Sequence, residues 1–333
     1  MSQGISVKLV FTDGVTHELL ASKGQSIVEA ASEVGLTLLT DCSNGMCGTC
    51  VSQCVSGKVE MGDYDHSVLP DDERDDGAIL NCVTFIIEPA VIEIPYDSTE
   101  ASVVEAEPKV AKIVGVVKVA EEIYKLSIDI GEPVGFLPGQ YVRLKPQSIS
   151  EWRSYSMANQ SGDQVLDFYI RIVGGGKFSD WLTNEAKAGG DIEVSAPRGS
   201  FFLRDEDVPQ LFVAGGTGLA PILSMLEKVK KTNSSSKPIK VLVGARSGAH
   251  LFGQDRLEDI QKSLPSLEVI YACETDAPTG AHQGYATDLM TADNITRDTR
   301  IYLCGPPPMV DAARAAAVKV GKKKSDILCE KFN

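Results

Sequence analysis

The chain has 333 residues, a formal net charge of −14 at pH 7 and 43% hydrophobic residues. This length accommodates two or three domains. No apolar stretch approaches the roughly 20 residues of a membrane-spanning helix, and the acidic balance argues against nucleic-acid binding, which requires a basic face. Eight cysteines without an apolar signal segment predict a cytoplasmic protein, in which thiols bind metals rather than form disulfides.

The negative charge is concentrated in the first 100 residues. This stretch carries 17 Asp/Glu and 4 Lys/Arg, a balance of −13, so the rest of the chain carries about −1. An acidic domain can be a plain solubility device. It can also steer docking onto a basic partner, and for a redox domain we favour that interpretation.

In chain order, the first hundred residues predict a small α+β unit. Residues 5–20 alternate around a turn at Asp13-Gly14, which predicts a hairpin. Ser26 is a candidate N-cap for a short helix that ends at Gly35. The remaining elements predicted here are strands at 55–61, 79–87 and 91–94 and an acidic helical turn from Pro70.

Cysteine spacing is the strongest chemical signal in the sequence. Three cysteines are separated by gaps of four and two residues, and a fourth follows much later, which is the plant-type two-iron pattern. The small residues between them let backbone N–H groups approach the cluster sulfurs. The spacing predicts a [2Fe–2S] cluster held by Cys42, Cys47, Cys50 and Cys82.

Two other uses of these cysteines fit less well. A zinc site usually pairs two short spacings, and the chain has one, at 47–50. A disulfide framework belongs to small secreted domains. Cys54 is a fifth nearby cysteine, and we expect it to pack as a small buried side chain because its spacing does not fit.

The middle of the chain predicts an antiparallel β-barrel after a linker. Residues 97–108 are polar and aperiodic, which is typical of a linker. From 109 to 205, β-branched residues alternate between glycine and proline turns. The predicted strands are 110–119, 123–130, 141–144, 165–172 and 191–195, with a helix at 178–188.

Residues 206–333 alternate between strand and helix patterns, which predicts a parallel sheet with crossover helices. The predicted strands are 211–214, 239–244, 268–272 and 300–304, and the predicted helices are 220–230, 254–263 and 308–320. Glycine turns follow the first strand, at 215–218, and the last strand, at Gly305. Two such loops at strand carboxyl ends can line one crevice that binds a dinucleotide.

Five motifs occur in an order that resembles the ferredoxin–NADP reductase superfamily. They are Gly139-Gln140-Tyr141, Arg153-Ser154-Tyr155-Ser156, Gly216-Thr217-Gly218, Cys304-Gly305-Pro306 and Glu330-Lys331-Phe332. With the cluster domain in front, the whole chain resembles the fused reductases of benzoate- and anthranilate-type ring-hydroxylating dioxygenases. It is also similar to reductases of soluble di-iron monooxygenases. The resemblance implies a plant-type ferredoxin domain of β-grasp fold (1–96), a linker (97–108), an antiparallel β-barrel FAD domain (109–205) and an α/β NAD(P)H domain (206–333).

The resemblance also implies roles for particular residues. Ser156 would lie near flavin N5, Thr217 and Cys304 beside the nicotinamide, and Phe332 near the flavin; Ser156 and Cys304 are therefore the candidate catalytic residues. Cys304 is otherwise an ordinary buried cysteine at a strand end. The implied cofactor-binding residues are Arg153, Ser154, Tyr155, Ser156, Arg171, Ile172, Val173, Gly176, Lys177, Ser179, Gly216, Thr217, Gly218, Arg246, Cys304, Gly305, Pro306 and Phe332.

The choice of coenzyme depends on the end of the second parallel strand. Arg246 stands there, where it could clamp a 2′-phosphate, contact an adenosine diol or lie on the surface. We favour NADH from the resemblance.

The function expected is therefore electron transfer from NADH through FAD and the [2Fe–2S] cluster to a terminal Rieske aromatic ring-hydroxylating dioxygenase. A flavin stands between the two because NADH gives two electrons and the cluster accepts one at a time. The alternatives are the reductase of a soluble di-iron monooxygenase or of a deoxysugar dehydratase. An electron carrier with a vestigial flavin half belongs to a different class, and the intact motifs argue against it.

Overall fold

The computed structural model describes residues 4–66, 68–101, 107–204, 206–232, 236–323 and 326–332. The chain forms two compact units, residues 1–107 with 198–200 and residues 108–197 with 201–333. Among the described residues, no helix is both long enough and apolar enough to cross a membrane.

A mixed five-stranded sheet forms the first unit. Its strands are β1 (Ile5–Val10), β2 (Thr16–Ala21), β3 (Val51–Met61), β4 (Ala78–Leu80) and β5 (Thr84–Glu93), in the order β2-β1-β5-β3-β4. β1 runs parallel to β5, and the other pairs are antiparallel. The helices are α1 (Ile27–Glu33), α2 (Asp71–Asp75) and α3 (Ser98–Ala101). This mixed sheet with short helices confirms the predicted α+β fold.

α1 begins at the predicted N-cap. The Ser26 hydroxyl accepts from the Glu29 N–H at 3.2 Å, and the Glu29 carboxylate accepts from the Ser26 N–H at 2.8 Å, so two N-terminal donors are satisfied reciprocally. Ile27, Ala30 and Ala31 face the core and are buried. The helix is therefore fixed both by its cap and by the apolar face that it buries.

The predicted continuous strand over 79–87 is wrong. The chain leaves the sheet at 81–83, where Thr84 donates its hydroxyl to the Leu80 carbonyl at 2.7 Å and closes a turn. β5 then continues through the predicted break before 91, alongside an irregular stretch of β3. Gly57 permits that irregularity because a Cβ there would lie 2.2 Å from the Pro89 carbonyl oxygen.

Part of the predicted linker is ordered against the first unit. Residues 98–101 form α3, and the Ala101 carbonyl accepts from the Thr37 N–H at 2.9 Å. The buried Tyr96 hydroxyl accepts from the Leu39 N–H, also at 2.9 Å. Residues 102–106 lie outside the described residues, and the domain boundaries themselves stay predictions.

The second unit begins with an antiparallel lobe. Its strands are β6 (Lys109–Ala120), β7 (Ile123–Asp129), β8 (Tyr141–Pro146), β9 (Arg153–Ser156), β10 (Val165–Arg171) and β11 (Asp191–Val194), in the order β10-β7-β6-β11-β8-β9. α4 (Lys177–Asn184) packs Phe178, Trp181 and Leu182 into the core of this lobe. The predicted antiparallel fold is confirmed. β9 was not predicted because its sequence, Arg-Ser-Tyr-Ser, has no apolar alternation.

A parallel lobe completes the second unit. Its strands are β12 (Gln210–Gly215), β13 (Ile239–Ser247), β14 (Leu267–Thr275), β15 (His282–Gln283), β16 (Arg300–Gly305) and β17 (Ile327–Lys331), in the order β15-β14-β13-β12-β16-β17. The helices are α5 (Leu219–Thr232), α6 (Gln254–Ser263) and α7 (Pro307–Lys319). The predicted parallel sheet is confirmed, and its edge strands β15 and β17 were not predicted.

The two lobes share one hydrophobic core. The rings of Tyr169 and Phe252 lie 4.6 Å apart across their junction. Arg256 donates to the Ala158 carbonyl at 2.8 Å, and Ser224 donates to the Asn159 carbonyl at 2.6 Å. These contacts fix the parallel lobe against the antiparallel lobe, so a site with residues from both has a defined geometry.

We expect Ser26→Ala to weaken α1 by about 1 kcal/mol, because the first-turn N–H groups lose their acceptor. Amide hydrogen exchange in α1, measured by mass spectrometry, should become about fivefold faster. Ser6→Ala, on exposed β1 backbone, is the matched control and should leave α1 unchanged. Equal α1 protection in wild type and Ser26→Ala would contradict the role of the cap.

Candidate cofactor and coenzyme sites

The four predicted ligand cysteines lie together in the first unit. The Cys42 thiol is within hydrogen-bonding reach of Cys47 and Cys82, and the Cys82 thiol is within reach of Cys50. Cys50 is buried and the other three are half-buried. The thiols form a chain of contacts. In the described part of the protein, no group of three or more His, Cys, Asp or Glu side chains is arranged so that it could hold a single metal ion.

The loop that carries three of these cysteines is shaped by glycine. Gly45 has φ +79°, and a Cβ there would lie 2.8 Å from Cβ of Tyr64. The tight turn directs the Met46 N–H to the Cys42 sulfur at 3.2 Å. The thiol–thiol hydrogen bonds lower the pKa of Cys42 and raise the pKa of Cys47 and Cys82, because neighbouring sulfurs share protons. Thiols with backbone donors aimed at sulfur fit a [2Fe–2S] cluster.

Asn81 positions the fourth cysteine. Its N–H donates to the Cys50 carbonyl at 3.0 Å, and its side-chain amide donates to the Ser52 hydroxyl at 2.7 Å. Both bonds tie the turn that carries Cys82 to the start of β3, beside Cys50. The Cys54 thiol donates instead to the Ser56 carbonyl at 3.5 Å, which separates it from the four.

In the antiparallel lobe, β9 presents the predicted flavin-binding side chains. The Tyr155 ring packs 4.8 Å from Phe178, and burial raises the pKa of Tyr155, so its hydroxyl stays a donor. Ser156 is buried, whereas Arg153 and Ser154 are exposed. An aromatic face, a hydroxyl and an exposed guanidinium on one short strand fit a flavin with its phosphates.

The predicted phosphate-binding segment joins β10 to α4. Ser179 Oγ accepts from the Val173 N–H at 3.0 Å, and Gly176 is the N-cap of α4. Lys177 forms an ion pair with Glu151 at 2.7 Å. The first turn of α4 therefore combines backbone donors with a cation at its surface, which suits an anionic group. Arg171 and Ile172 precede this turn, and Arg171 is exposed.

A cavity of about 520 Å³ lies at the carboxyl ends of β12, β13 and β16. Its walls include Gly216, Thr217, Arg246 and Pro306, together with Arg171 and the 121–123 turn of the antiparallel lobe. Residues 216–218 form a 3-10 helix that leads directly into α5. The predicted crevice between two glycine loops is thus present, at the edge where parallel sheets bind nucleotides.

Glycine is required where the two loops meet. A Cβ on Gly218 would lie 2.2 Å from the Cys304 carbonyl oxygen, and one on Gly305 would lie 2.9 Å from the Gly215 carbonyl oxygen. Any side chain there would push the loops apart. Gly218 and Gly305 therefore serve close backbone approach.

Glu330 joins the two candidate catalytic residues. The Ser156 hydroxyl donates to Glu330 Oε2 at 3.1 Å, and the Cys304 thiol donates to the same oxygen at 3.8 Å. Cys304 is fully buried, and burial together with the nearby Glu330 charge raises its pKa, which keeps it a protonated donor. Ser156 belongs to the antiparallel lobe and the other two to the parallel lobe. The structure thus brings Ser156 and Cys304 to one carboxylate.

Glu330 was not among the residues predicted for the site, although its motif, Glu330-Lys331-Phe332, is one of the five that carry the resemblance. Glu330 lies opposite Cys304 in the β16–β17 register, and β17 itself was not predicted. Phe332 follows on the same strand end, where its N–H donates to the Gly305 carbonyl at 2.9 Å and its ring packs on the core of the second unit. The only sequence signal was the position of the motif near the C-terminus.

Comparison with known proteins matches three domain families along the chain. Residues 10–86 match the 2Fe-2S iron-sulfur cluster binding domain, residues 111–203 the oxidoreductase FAD-binding domain and residues 212–315 the oxidoreductase NAD-binding domain. The predicted cofactor set, a [2Fe–2S] cluster, FAD and a nicotinamide coenzyme, is confirmed at the level of these domains.

The chain is similar over nearly its full length to reductase components of different oxygenases. It is 33% identical to the 2-halobenzoate 1,2-dioxygenase electron transfer component of Burkholderia cepacia, over 93% of this chain and 92% of that one. It is also 33% identical to the propane 2-monooxygenase reductase component of Mycolicibacterium smegmatis, over 90% of each chain. The crystal structure of an Amycolatopsis cytochrome P450 reductase superposes with a TM-score of 0.72 at 28% identity, covering 98% of each chain.

We expect Cys82→Ser to abolish the visible absorbance of the cluster, because a two-iron cluster needs four thiolates. NADH-driven flavin reduction should persist, since no flavin-site residue is touched. Cys54→Ser is the matched control and should retain the cluster. Iron content and visible absorbance check both variants, and a cluster that survives in Cys82→Ser but not in Cys54→Ser would reassign the fourth ligand.

We expect Glu330→Gln to slow flavin reduction by NADH about tenfold, because the neutral amide oxygen accepts more weakly from Ser156 and Cys304 than the charged carboxylate does. Stopped-flow absorbance under anaerobic conditions measures the rate. Asp311→Asn is the control, because Asp311 pairs with Lys331, the next residue along, at 2.8 Å. An unchanged rate in Glu330→Gln would show that the carboxylate does not organise the site.

Proposed function

The chain belongs to the fused [2Fe–2S]/FAD/NAD(P)H reductases that serve as electron-transfer components of oxygenases, and from this premise we propose that it uses NADH and supplies a Rieske ring-hydroxylating dioxygenase. The observation that carries the proposal is the 33% identity, over 93% of this chain, to the electron transfer component of a 2-halobenzoate 1,2-dioxygenase. The second unit supports a hydride-transfer site, because one carboxylate, Glu330, is shared by a flavin-lobe hydroxyl and a coenzyme-lobe thiol.

The established part of this function is electron transfer from NAD(P)H through FAD and the cluster to an oxygenase. FAD, when bound, accepts hydride and gives up electrons singly, which neither the coenzyme nor the cluster does alone. Within the site proposed here, the chain's own residues position the reactants. Tyr155 and Phe178 offer an aromatic wall, and the buried Cys304 and Ser156 exclude water while they donate to Glu330. The glycine loops let the coenzyme approach the backbone closely.

The acidic face beside the cluster loop is the proposed docking surface for the oxygenase. Tyr64 packs on Gly45 of the cluster loop, and the neighbouring His66 contacts Asp71 of α2 at 3.1 Å. α2 carries Asp71, Asp72, Glu73 and Asp75, with only Arg74 between them. This acidic run therefore lies beside the loop through which electrons would leave. A basic patch on the partner would be attracted to it over about one Debye length.

A di-iron monooxygenase is the second candidate partner, since a propane monooxygenase reductase is equally identical. The discriminating experiment mixes the purified protein and NADH with a benzoate-type Rieske dioxygenase or with a propane-type hydroxylase and measures hydroxylated product per NADH consumed. We expect coupled turnover with the dioxygenase. Coupling only with the hydroxylase would assign the chain to the monooxygenases.

We expect the double charge reversal Asp72→Lys with Glu73→Lys to lower the rate of electron transfer to the oxygenase at low salt about tenfold or more. Wild-type transfer should itself slow as ionic strength rises, because exposed charges are screened. NADH-dependent ferricyanide reduction, which needs no docking to the oxygenase, should be unchanged.

Glu18→Lys is the control for this charge reversal. Glu18 is an exposed carboxylate on β2, at the opposite edge of the sheet from β4. Equal slowing by Glu18→Lys would mean that net charge, rather than the face around α2, steers the encounter.

A further inference from the structure

We propose that Glu122 is a specificity-determining residue that makes the protein select NADH over NADPH by occupying Arg246. This inference rests on the proposed function, because it takes the cavity at the ends of β12 and β13 as the coenzyme site. It names a residue of the antiparallel lobe as the one that reads the adenosine ribose.

Arg246 is a cation in the cavity wall that could bind the 2′-phosphate of NADPH. It lies at the end of β13, the strand that follows the glycine-loop strand along the chain, and it lines the cavity. In nucleotide-binding sheets this is the position where an acidic residue reads the ribose diol or an arginine accepts a 2′-phosphate. On sequence alone, Arg246 could bind a 2′-phosphate or contact the adenosine diol, so the residue by itself does not decide between NADPH and NADH.

The structure places a carboxylate on this arginine from the other lobe. Glu122 Oε2 lies 3.4 Å from Arg246 Nη2. Glu274 adds a second carboxylate to the wall: it lies on β14 between the register pairs Ala245–Cys273 and Ser247–Thr275, directly beside Arg246. A 2′-phosphate would have to displace one carboxylate and sit near the other, whereas the neutral diol of NADH can donate hydrogen bonds to both.

The turn that carries Glu122 is held in an unusual conformation. Glu122 has φ +57°, the left-handed region that residues with a Cβ rarely adopt. Its carbonyl accepts from the Ile172 N–H at 2.7 Å, and the preceding Glu121 N–H donates to the Ala249 carbonyl at 2.9 Å. One bond fixes the turn to its own lobe and the other to the parallel lobe. The two-residue hairpin loop between β6 and β7 calls for a positive φ, and together the loop and these two bonds fix the position from which the Glu122 side chain reaches Arg246.

The ion pair between Glu122 and Arg246 is too exposed to stabilise the fold appreciably. The side chains of Arg246 and Glu122 are 52% and 40% exposed, and pairs of this kind contribute little to folding. Opposite a doubly charged phosphate the same carboxylate has a direct effect on binding, because like charges at short range repel. Removal of Glu122 should therefore change the selectivity between NADH and NADPH rather than the stability of the fold.

The test replaces Glu122 in the full-length holoenzyme. We expect Glu122→Gln to raise the ratio of kcat/KM for NADPH to that for NADH by about tenfold, measured with ferricyanide as acceptor. Calorimetric binding of adenosine 2′,5′-bisphosphate should tighten by about the same factor, while binding of 5′-AMP should change by less than about twofold. Glu122→Asn, whose side chain tolerates the left-handed conformation, is the second variant and should behave alike.

Two controls make the outcome decisive. Glu132→Gln removes a carboxylate that pairs with Lys109 on the same lobe, outside the cavity, and should leave the ratio unchanged. Adding Arg246→Ala to Glu122→Gln should cancel the gain for NADPH. A ratio that moves less than about twofold in both Glu122 variants, or a gain that survives the loss of Arg246, would overturn the inference. Failure of the proposed coenzyme choice would look different, since wild type would then reduce ferricyanide with NADPH at least as efficiently as with NADH.

Discussion

The candidate site of the second unit is organised around one shared acceptor, the Glu330 carboxylate, which receives hydrogen bonds from both lobes. Ser156 comes from the antiparallel sheet and Cys304 from the parallel sheet, so their meeting requires the lobes to be fixed against each other. The common core and the Arg256 and Ser224 bonds supply that rigidity. Hydride transfer demands reacting atoms in close, defined contact, and a mobile junction would lose that geometry.

A second constraint on the site is the need for glycine, because the backbones of the two loops that line the cavity approach each other too closely for side chains. Gly218 lies under the Cys304 carbonyl and Gly305 lies against Gly215, so the two loops that would hold the coenzyme also hold each other. Gly45 serves the same purpose beside the cysteine loop of the first unit. In both units the fold leaves space for a cofactor by keeping side chains out of the backbone contacts around it.

Local patterns predicted most of the fold and the chemistry of the first unit. Ser26 predicted a helix cap, the cysteine spacing predicted a [2Fe–2S] cluster, and the alternation of strands and helices predicted the parallel sheet. Each of these patterns is encoded by residues close in sequence. The turn at 81–83 was missed because its cause is a single hydroxyl bond from Thr84 to Leu80. Glu330 and Glu122 were missed because their partners lie 174 and 124 residues away. The partner of an acidic residue in a turn or a terminal strand cannot be predicted from the sequence, because it depends on the strand register and on how the two lobes pack.

The proposed function requires one chain to convert the two-electron donor into single electrons through its own flavin and cluster. Anaerobic titration of the purified protein with NADH, followed by visible absorbance, shows whether the chain does so. We expect flavin and cluster to bleach together and to take up about three electrons per chain, two in FAD and one in the cluster. Bleaching of the flavin alone, with the cluster still oxidised at excess NADH, would contradict it.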